Sequence, residues 1–455
     1  MKMILAIIAI STFIFARNIN DFPLRNWDEA WYAQIIKNMA SNNHSLLAPY
    51  WNGRYYFDKP PLYFWLSLPF FKIFGPGEWQ TRIVSATSAI LASLLIYLIG
   101  KKLFSQKAAI LAFLAFLTFG QVIIRFAHGN LDALLVFLIL ASFYFYLLSE
   151  KNRKWTLACG IFAGLSFLAK GYLPGLYSLA IILLYALIAE KKLPRQFATI
   201  VITTLLVSIW YYFAGFLKFG EQFISWYLFS PDAGLLKSPL SSFSLSYFMD
   251  LARDVGFWWI LVILAIIKKV KLARFEKSIL IAFTVLTIIY ITPLNFLSEK
   301  LGWYNLPTYP LIALVVGLFA SKINLKAVSV TFISIIIILQ VASVIRIENI
   351  YPDRSNVGAT LGNIAKSIIP TGQTMILDDK DFTSFLFYSN HDEVFVSLPQ
   401  GGKDWEWWII RYENLEEFIK ENPNSWIITK NLSSLPINKQ GEIKAQSQGY
   451  TFAKF

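Results

Sequence analysis

The stretch NLDALLVFLILASFYFYLLSEKNRKW, residues 130–155, decides the fold class. Asp132 is the only charged residue between Leu131 and Ser149, and an apolar helix of this length can cross the hydrocarbon core of a bilayer. The segment that follows, EKNRKW (150–155), carries three basic residues. Short loops rich in Lys and Arg face the cytoplasm. The pattern therefore predicts a transmembrane helix whose carboxyl end lies at the cytoplasmic side.

The composition of the whole chain is that of a membrane protein. Of its 455 residues, 56% are hydrophobic and only 15% are charged, and the mean hydropathy is +0.52. The net charge is +13, but most of the lysines lie in short clusters between apolar runs, where they set topology rather than bind nucleic acid. One cysteine, Cys159, and three widely spaced histidines exclude a disulfide framework and disfavour a multi-histidine metal site.

Similar apolar runs recur as far as residue 346, and we predict about eleven transmembrane helices in an all-α membrane domain. The first run lacks a small-residue cleavage site, so we expect an anchor rather than a removed signal peptide. The predicted spans are 3–17, 80–100, 108–124, 130–148, 155–170, 172–189, 197–217, 251–267, 276–292, 303–320 and 326–346.

The loops between these runs divide into two sets. One set is short and rich in Lys and Arg, which predicts a cytoplasmic location: 101–107, 150–155, 190–195, 268–277 and 321–326. Alternation then places the other set outside the cytoplasm: 18–79, 125–132, 170–175, 218–250 and 297–305. The charge rule and the alternation agree along the whole chain.

The composition becomes polar after the last apolar run. The segments TMILDD, VFVS and SWIITK are typical of strands and NLEEFIKENP of a helix, so residues 350–455 are predicted to form a small soluble α/β domain. An odd number of spans puts this domain outside the cytoplasm, after a transmembrane domain over residues 1–349. No repeat of fixed period is visible, which supports neither a solenoid nor an inverted-repeat transporter.

Two adjacent acids begin a helix-like segment in the first outer loop, NWDEAWYAQI (26–35). Asn26 is predicted to cap this helix, and Glu29 to close a capping box on the Asn26 amide. This structural role and a functional role for Glu29 both remain open. Asp28 is either an acid in the first turn or a functional carboxylate. Tryptophans and aliphatic residues at helical spacing predict that the helix lies along the membrane interface.

The second motif is NGRYYFDKPPLYFW, residues 52–65. Pro60 and Pro61 exclude helix through Asp58 and Lys59 and hold Lys59 in an extended conformation. The acid and the ammonium group are then presented on a rigid loop. The alternative is that Lys59 only snorkels from an aromatic belt, although a lysine in an outer loop runs against the charge bias.

Further ionisable residues lie in the other outer loops. Asp132 follows Asn130 at the outer end of a span, where it is either part of a helix cap or a functional carboxylate. Lys170 lies in FLAKGYLPG, and Tyr304 follows Lys300 by four residues. Topology gathers these residues and the first two motifs on one membrane face. A base together with a clamp for negative charge suits a reaction in which a phosphate departs.

The motifs NWDEAWYAQI, FDKPPLYFW and EKLGWYNLPTYP resemble those of GT-C glycosyltransferases of the protein O-mannosyltransferase superfamily. The resemblance covers roughly residues 20–320 and is greatest to the branch of bacterial lipid A aminoarabinose transferases. It implies a multi-pass enzyme of the plasma (inner) membrane, with its active site and C-terminal domain extracytoplasmic. Such an enzyme transfers a sugar from a polyprenyl-phosphate donor to a lipid, glycan or protein acceptor.

The resemblance also implies roles for single residues. By motif match Asp28 would be the catalytic base that activates the acceptor. The residues that would hold the donor phosphate are Lys59, Lys170, Lys300 and Tyr304. Those that would shape the site are Glu29, Asp58 and Asp132, and the last two could help to hold a divalent metal cation. The chain departs from the family pattern at two places, with Asp rather than Glu before Lys59 and no basic and histidine pattern in loop 218–250.

Two other functions remain open. A transporter or flippase of a lipid-linked sugar would place ionisable residues near the middle of spans and would use paired discontinuous helices. A non-enzymatic membrane assembly factor would leave the carboxylate of Asp28 without a chemical role. The concentration of charges at one membrane face favours the transferase.

Overall fold

The computed structural model of the protein describes residues 1–41, 43–229, 242–323, 330–350, 355–400, 406–437 and 441–455. Parts of several sequence predictions lie outside these ranges. They are residue 42 of loop 18–79, residues 230–241 of loop 218–250, residues 324–329 of loop 321–326 and span 326–346, and residues 351–354, 401–405 and 438–440 of the C-terminal domain. The chain forms two compact units. The first contains Met1–Ile19, Phe57–Leu66 and Arg82–Tyr351, and the second contains Asn20–Tyr56, Ser67–Thr81 and Pro352–Phe455.

Helices dominate the part of the chain that precedes the C-terminal sheet. In chain order they are α1 (Lys2–Ala16), α2 (Asp28–Ala40), α3 (Leu62–Phe74), α4 (Glu78–Leu103), α5 (Gln106–Thr118), α6 (Gly120–Phe126), α7 (Leu131–Ser149), α8 (Trp155–Lys170), α9 (Tyr172–Tyr185), α10 (Phe197–Phe219), α11 (Glu221–Phe229), α12 (Ser246–Val255), α13 (Trp259–Ile267), α14 (Arg274–Leu294), α15 (Tyr309–Lys322) and α16 (Val330–Ile350). A π-helical turn (Ala186–Glu190) extends α9, and 3₁₀ turns precede α13 (Gly256–Trp258) and α15 (Gly302–Thr308).

Six helices of the described chain are long and apolar enough to cross a membrane, and a seventh span results if α5 and α6, bent by 64°, are counted together. The six are Glu78–Leu103, Leu131–Ser149, Tyr172–Glu190, Phe197–Phe219, Arg274–Leu294 and Gly302–Lys322. Shorter apolar helices include α1, α3, α8 and the segment Thr331–Ile345. The polytopic membrane architecture is therefore confirmed, whereas the number of eleven spans stays a prediction.

Small residues bring two helices of the first unit into close contact. Gly160 and Gly164, one turn apart on α8, both face α10. A Cβ atom on Gly160 would lie 2.6 Å from Thr203 Cβ and 2.9 Å from the carbonyl oxygen of Ile200. Transmembrane helices associate through such small residues because lipid provides no hydrophobic driving force between them.

The second unit contains a six-stranded mixed sheet. Its strands are β3 (Met375–Leu377), β4 (Phe395–Leu398), β5 (Ile409–Arg411), β6 (Trp426–Thr429), β7 (Glu442–Ser447) and β8 (Tyr450–Lys454), in the order β5-β4-β3-β6-β8-β7. The first four strands in that order are parallel, and β8 and β7 are antiparallel to their neighbours. Helices α17 (Ser355–Ile368), α18 (Thr383–Ser389) and α19 (Tyr412–Glu421) complete the predicted C-terminal α/β fold.

The second unit also includes the first predicted outer loop. There a short hairpin pairs β1 (Tyr50–Trp51) with β2 (Arg54–Tyr55), and Asn52 lies at its turn. The Asn52 side chain binds the backbone of Val394 twice, with the Val394 amide donating to Oδ1 at 2.8 Å and Nδ2 donating to the carbonyl at 3.0 Å. The Trp407 indole donates to the Asn52 carbonyl at 2.8 Å. Residues far apart in sequence thus share one folded unit.

Candidate active site

A cavity of about 300 Å³ lies in the first unit, with charged residues, tyrosines and apolar side chains on its walls. The charged and tyrosine residues come from four of the predicted outer segments and from α9, α11 and α14. They are Asp58, Lys59, Lys170, Glu299, Tyr172, Tyr177, Tyr227, Tyr290 and Tyr304. The apolar residues are Leu173, Pro174, Leu176, Ala180, Ile289, Pro293, Leu294, Leu297 and Leu301, with Gly171.

Lys59 reaches the cavity through a constrained backbone. Pro60 and Pro61 follow it, and α3 begins directly afterwards at Leu62. The Tyr227 hydroxyl donates to the Lys59 carbonyl at 2.7 Å and shares a second hydrogen bond of 2.5 Å with the Tyr211 hydroxyl. The Lys59 ammonium pairs with the buried carboxylate of Asp58. Backbone and side chain are thus both fixed.

A second charged group is centred on Asp132, in the first turn of α7. Asn130 caps this helix, and its Oδ1 accepts from the Asp132 amide at 2.9 Å. The Asp132 side chain is not the cap, because it is buried and pairs with Lys170 and with Arg125, whose Nη2 lies 3.2 Å from Oδ2. Lys170 is the last residue of α8, which ends at Gly171 with φ at 100°.

The two cations that bind Asp132 lie over the rings of two consecutive aromatic residues, Trp303 and Tyr304. The Arg125 guanidinium lies 4.0 Å from the centre of the Trp303 ring, and the Lys170 ammonium lies 5.2 Å from the centre of the Tyr304 ring. Both rings belong to the 3₁₀ turn Gly302–Thr308. A cation over an aromatic face is attracted to it, most strongly where water is excluded.

Lys300 has a different environment from the other predicted phosphate ligands. Its ammonium donates to the carbonyl oxygens of Leu297, at 3.0 Å, and of Asn295, at 3.4 Å, just beyond the end of α14. Asn295 is the C-cap of α14, and a lysine near the carboxyl end of a helix binds such terminal carbonyl oxygens favourably. Among the described residues that line the cavity, Glu299 and Leu301 occur but Lys300 does not. Its phosphate-binding role stays a prediction.

Asp28 and Glu29 belong to the second unit and begin α2. The prediction that Asn26 is the N-cap is wrong, because Trp27 occupies that position and Asn26 Oδ1 accepts from the amide and hydroxyl of Ser384. The Glu29 carboxylate is buried and accepts from the Arg25 amide at 2.8 Å. Ten of the thirteen residues of α2 are buried inside the protein, so the helix packs against protein on most of its surface. Its location along the membrane interface stays a prediction.

Trp27 has an unusual backbone conformation directly before Asp28. Its φ of 65° and ψ of −124° lie in a region that non-glycine residues rarely adopt, and such residues carry roughly 1–3 kcal/mol of strain. The strain is held by its neighbours: the Trp27 amide donates to Thr383 Oγ1 at 2.5 Å, and the indole donates to Asp381 Oδ1 at 3.3 Å. Strain of this kind is concentrated at functional sites.

Comparison with known proteins gives a family match for one segment of the chain. Residues 58–213, which contain Asp58, Lys59, Arg125, Asp132 and Lys170, match the family of dolichyl-phosphate-mannose-protein mannosyltransferases. The matched segment is about a third of the chain. The predicted resemblance to the superfamily is confirmed, and the match begins within the motif FDKPPLYFW.

Relatives and solved structures extend the match. An undecaprenyl phosphate-alpha-4-amino-4-deoxy-L-arabinose arabinosyl transferase of Pseudomonas savastanoi pv. phaseolicola is 34% identical over 153 residues, which are 32% of this chain and 28% of that relative. The structure of ArnT from Cupriavidus metallidurans bound to undecaprenyl phosphate superposes with a TM-score of 0.80 at 14% identity, over 100% of this chain and 98% of that one. The matched segment therefore lies within a fold similar to that of ArnT.

A third comparison bears on metal ions. The oligosaccharyltransferase of Archaeoglobus fulgidus in complex with Zn and sulfate superposes with a TM-score of 0.56 at 14% identity, over 94% of this chain and 67% of that one. In the part of the chain that the structure describes, no three His, Cys, Asp or Glu side chains are grouped as metal ligands. Asp58 and Asp132 pair with ammonium and guanidinium groups instead. These two residues therefore do not fit the predicted cation site.

Proposed function

We propose that the protein is an integral membrane glycosyltransferase that takes a sugar from a polyprenyl-phosphate donor and transfers it to a lipid, glycan or protein acceptor. The observation that carries this proposal is the cavity of the first unit, which combines two lysines with an apolar wall. Lys59 and Lys170 suit a phosphate, whereas Leu173, Leu176 and Ala180 on α9 suit the chain of a polyprenol.

The chemistry follows from the charge that develops on the phosphate. An acceptor oxygen attacks the anomeric carbon of the sugar, the bond from that carbon to the phosphate oxygen breaks, and polyprenyl phosphate departs. The donor phosphodiester carries one negative charge, and the departing monoester tends towards two. Cations that bind the phosphate therefore bind the transition state more tightly than the ground state, which accelerates the reaction.

Roles for individual residues follow from this scheme. Lys59 and Lys170 bind the donor phosphate, with Tyr304 and Lys300 as further ligands predicted by the motif. Asp28 accepts the proton that the acceptor hydroxyl loses, and this assignment rests on the sequence motif and on the strained residue that precedes it. Glu29, Asp58 and Asp132 shape the site. No step is assigned to a metal ion.

The relatives narrow the class of donor. The Cupriavidus metallidurans structure contains undecaprenyl phosphate, and the Pseudomonas relative is named for a sugar linked to that lipid phosphate. We therefore propose an undecaprenyl-phosphate-linked sugar as the donor. The acceptor is a lipid, glycan or protein that meets the donor at the membrane.

The proposed topology has about eleven spans in a GT-C arrangement in the plasma membrane, with the acidic and basic motifs and the C-terminal domain extracytoplasmic. The basic loops and the odd span number support it. A test uses a variant without Cys159 that carries one new cysteine at the exposed residue Lys420. An impermeant thiol reagent added outside intact cells should label it. Labelling only after the cells are opened would show that the C-terminal domain is cytoplasmic and that the proposed orientation is wrong.

The cavity itself can be tested with a residue of its apolar wall. Ala180→Trp places a large ring where the lipid chain is proposed to bind, and we expect it to abolish both binding of undecaprenyl phosphate and sugar transfer. The matched control is Leu187→Trp, which adds an aromatic ring at an exposed position on the π-helical extension of the same helix. Equal activity of Ala180→Trp and the control would show that the donor does not use this cavity.

A further inference from the structure

One carboxylate of the first unit is shared by two cations. The Arg125 guanidinium and the Lys170 ammonium bind different oxygen atoms of Asp132. All three side chains are largely removed from solvent, with exposed fractions of 17% for Arg125, 13% for Lys170 and 3% for Asp132. These three residues, here called the Asp132 cluster, carry one more positive than negative formal charge.

The two cations of the cluster differ in their access to the cavity. Lys170 is one of the residues that line it, whereas Arg125 is not among the described lining residues. Arg125 instead lies behind Asp132 with its guanidinium over Trp303. The extra positive charge of the cluster is therefore presented to the cavity by Lys170, although two residues are needed to produce it.

We propose that Arg125 is a positioning residue for the donor phosphate: it neutralises Asp132, so that the ammonium of Lys170 faces the cavity with its charge uncompensated. This inference rests on the proposed function. Without Arg125, Asp132 and Lys170 would form a neutral pair. A neutral pair attracts an anion weakly, whereas one excess charge in a site of low dielectric attracts it strongly.

The other charged residues near the cavity contribute less than the Asp132 cluster to the net charge that an anion meets there. Asp58 and Lys59 form an ion pair at the same cavity, so the two add no net charge there, although the Lys59 ammonium can still donate a hydrogen bond to the phosphate. Glu299 also lines the cavity, but it is exposed, so that water and salt screen its charge. A guanidinium suits the position behind Asp132 because it stays charged at all relevant pH values and stacks on an aromatic face. Asn130 Nδ2 binds the Arg125 carbonyl and fixes the turn that carries it.

The test compares two lipids that differ only in their charged group. Undecaprenyl phosphate and undecaprenol are titrated against the full chain in nanodiscs, for wild type and for Arg125→Gln. We expect Arg125→Gln to weaken binding of undecaprenyl phosphate by about tenfold or more, the size of effect typical of a charged hydrogen-bonding group. Binding of undecaprenol should not change, because its chain meets only the apolar wall.

Two further variants separate charge from structure. In Arg125→Gln/Asp132→Asn, Lys170 is again the only charge of the cluster, so binding of undecaprenyl phosphate should recover relative to Arg125→Gln. Arg125→Lys keeps the charge and should retain most of the affinity. The proposal is overturned if Arg125→Gln binds the phosphate as wild type does, if it loses both lipids equally, if Arg125→Lys loses as much as Arg125→Gln, or if the double variant does not recover.

Failure of the proposed function gives a different result. If the wild-type protein does not bind undecaprenyl phosphate more tightly than undecaprenol, the cavity is not a lipid-phosphate site and the transferase proposal fails with it. If wild type shows this preference and the Arg125 variants share it unchanged, only the role of Arg125 is lost.

Discussion

Lys59 is held by its backbone and by its side chain. Pro60 and Pro61 restrict the chain after it, the Tyr227 hydroxyl donates to its carbonyl, and its ammonium pairs with Asp58. A lysine that only anchors a loop at an interface does not require all of these constraints. A lysine that must meet a phosphate at a fixed point does, because catalytic groups lose efficiency when they are displaced by about 1 Å.

Substitution of Lys59 tests this distinction. Lys59→Ala should lower kcat more than it raises KM for the donor, because the phosphate gains charge as the sugar departs. Lys59→Arg should also lose activity, since the planar guanidinium does not fit a site built for a compact ammonium. The measurement is transfer rate against donor concentration, with the exposed Lys218→Ala as control. Three curves like wild type would mean that Lys59 is only an interfacial anchor.

Asp28 and Glu29 are adjacent but differ in their surroundings. Glu29 is buried and accepts a hydrogen bond from the Arg25 amide, so its main contribution is to the start of α2. If Asp28 is the general base, Asp28→Asn should lower turnover by about two to four orders of magnitude without unfolding the protein. Glu29→Gln should cost about 1 kcal/mol of local stability and much less turnover. Unchanged turnover in Asp28→Asn would remove the base assignment.

The sequence allowed the residues of the cavity to be predicted better than the contacts behind them. Asp58, Lys59 and Tyr304 lie in recognisable motifs, and Lys170 is a basic residue in a short predicted outer loop. Alternation of the loops predicts one membrane face for all four, and all four line the cavity. Arg125 was missed because its partners are an acid seven residues later and a tryptophan in a distant turn, and neither spacing forms a motif. The strain at Trp27 was equally invisible, since tertiary contacts with residues 381–383 impose it.

At the scale of elements, the contact between α8 and α10 depends on the absence of side chains. Gly160→Leu would force the new side chain against Thr203 and the Ile200 carbonyl. Overpacking costs typically about 1–3 kcal/mol, and contact with backbone raises the cost because backbone cannot rotate away. We expect a lower yield of folded protein and a lower Tm in detergent. Ile161→Phe, on the exposed side of the same helix, is the control and should leave Tm unchanged.

Helix α2 carries a half-buried lysine, Lys37, that makes stability depend on pH. Burial lowers the pKa of Lys37 from 10.5 to about 8, with Asp392 opposing the shift and Lys366 adding to it. The unfolded chain therefore binds more protons than the folded chain between pH 8 and 10.5, so this residue's contribution to stability rises with pH across that window. At pH 7 the charged form destabilises the fold by up to about 3 kcal/mol.

Lys37→Met removes the charge and should raise Tm at pH 7, although it also removes the hydrogen bond to the Phe387 carbonyl. The gain should shrink as the pH rises from 8 to 10.5. Thermal unfolding of the full chain, followed by tryptophan fluorescence at several pH values, measures it. Lys420→Met changes an exposed lysine and should shift Tm little at any pH. A gain for Lys37→Met that does not depend on pH would contradict the account.

Helices and strands were predictable where a local pattern of apolar residues defines them. All the predicted apolar runs contain helix in the described chain, and the three predicted strands and the helix of the C-terminal segment are present. Breaks within the predicted helices were not predictable. The bend between α5 and α6 and the turn at Gly256, whose φ is 54°, lie within two of the predicted spans, 108–124 and 251–267. There Gln340 binds the backbone of Asp254 and Phe257, a tertiary contact that no local pattern indicates.

At the scale of the whole molecule, the sequence predicts where a domain begins more readily than which distant segments pack together. The change from apolar to polar residues near 350 predicted a separate C-terminal domain, and a mixed sheet is present there. The second unit nevertheless includes Asn20–Tyr56, because residues such as Asn52 complete hydrogen bonds with the sheet domain. Contacts between residues more than 300 positions apart, such as Asn52 and Val394, cannot be predicted from the local sequence of either residue.

The central claim is that the chain breaks the bond between a sugar and a polyprenyl phosphate, rather than moving the intact glycolipid. The direct measurement uses purified protein in proteoliposomes with a donor labelled in both its sugar and its phosphate. The account predicts that the sugar label passes to an acceptor while unglycosylated polyprenyl phosphate is released in equal amount, and that Asp28→Asn stops both. Movement of both labels together across the bilayer, with no release of polyprenyl phosphate, would contradict it and identify a transporter.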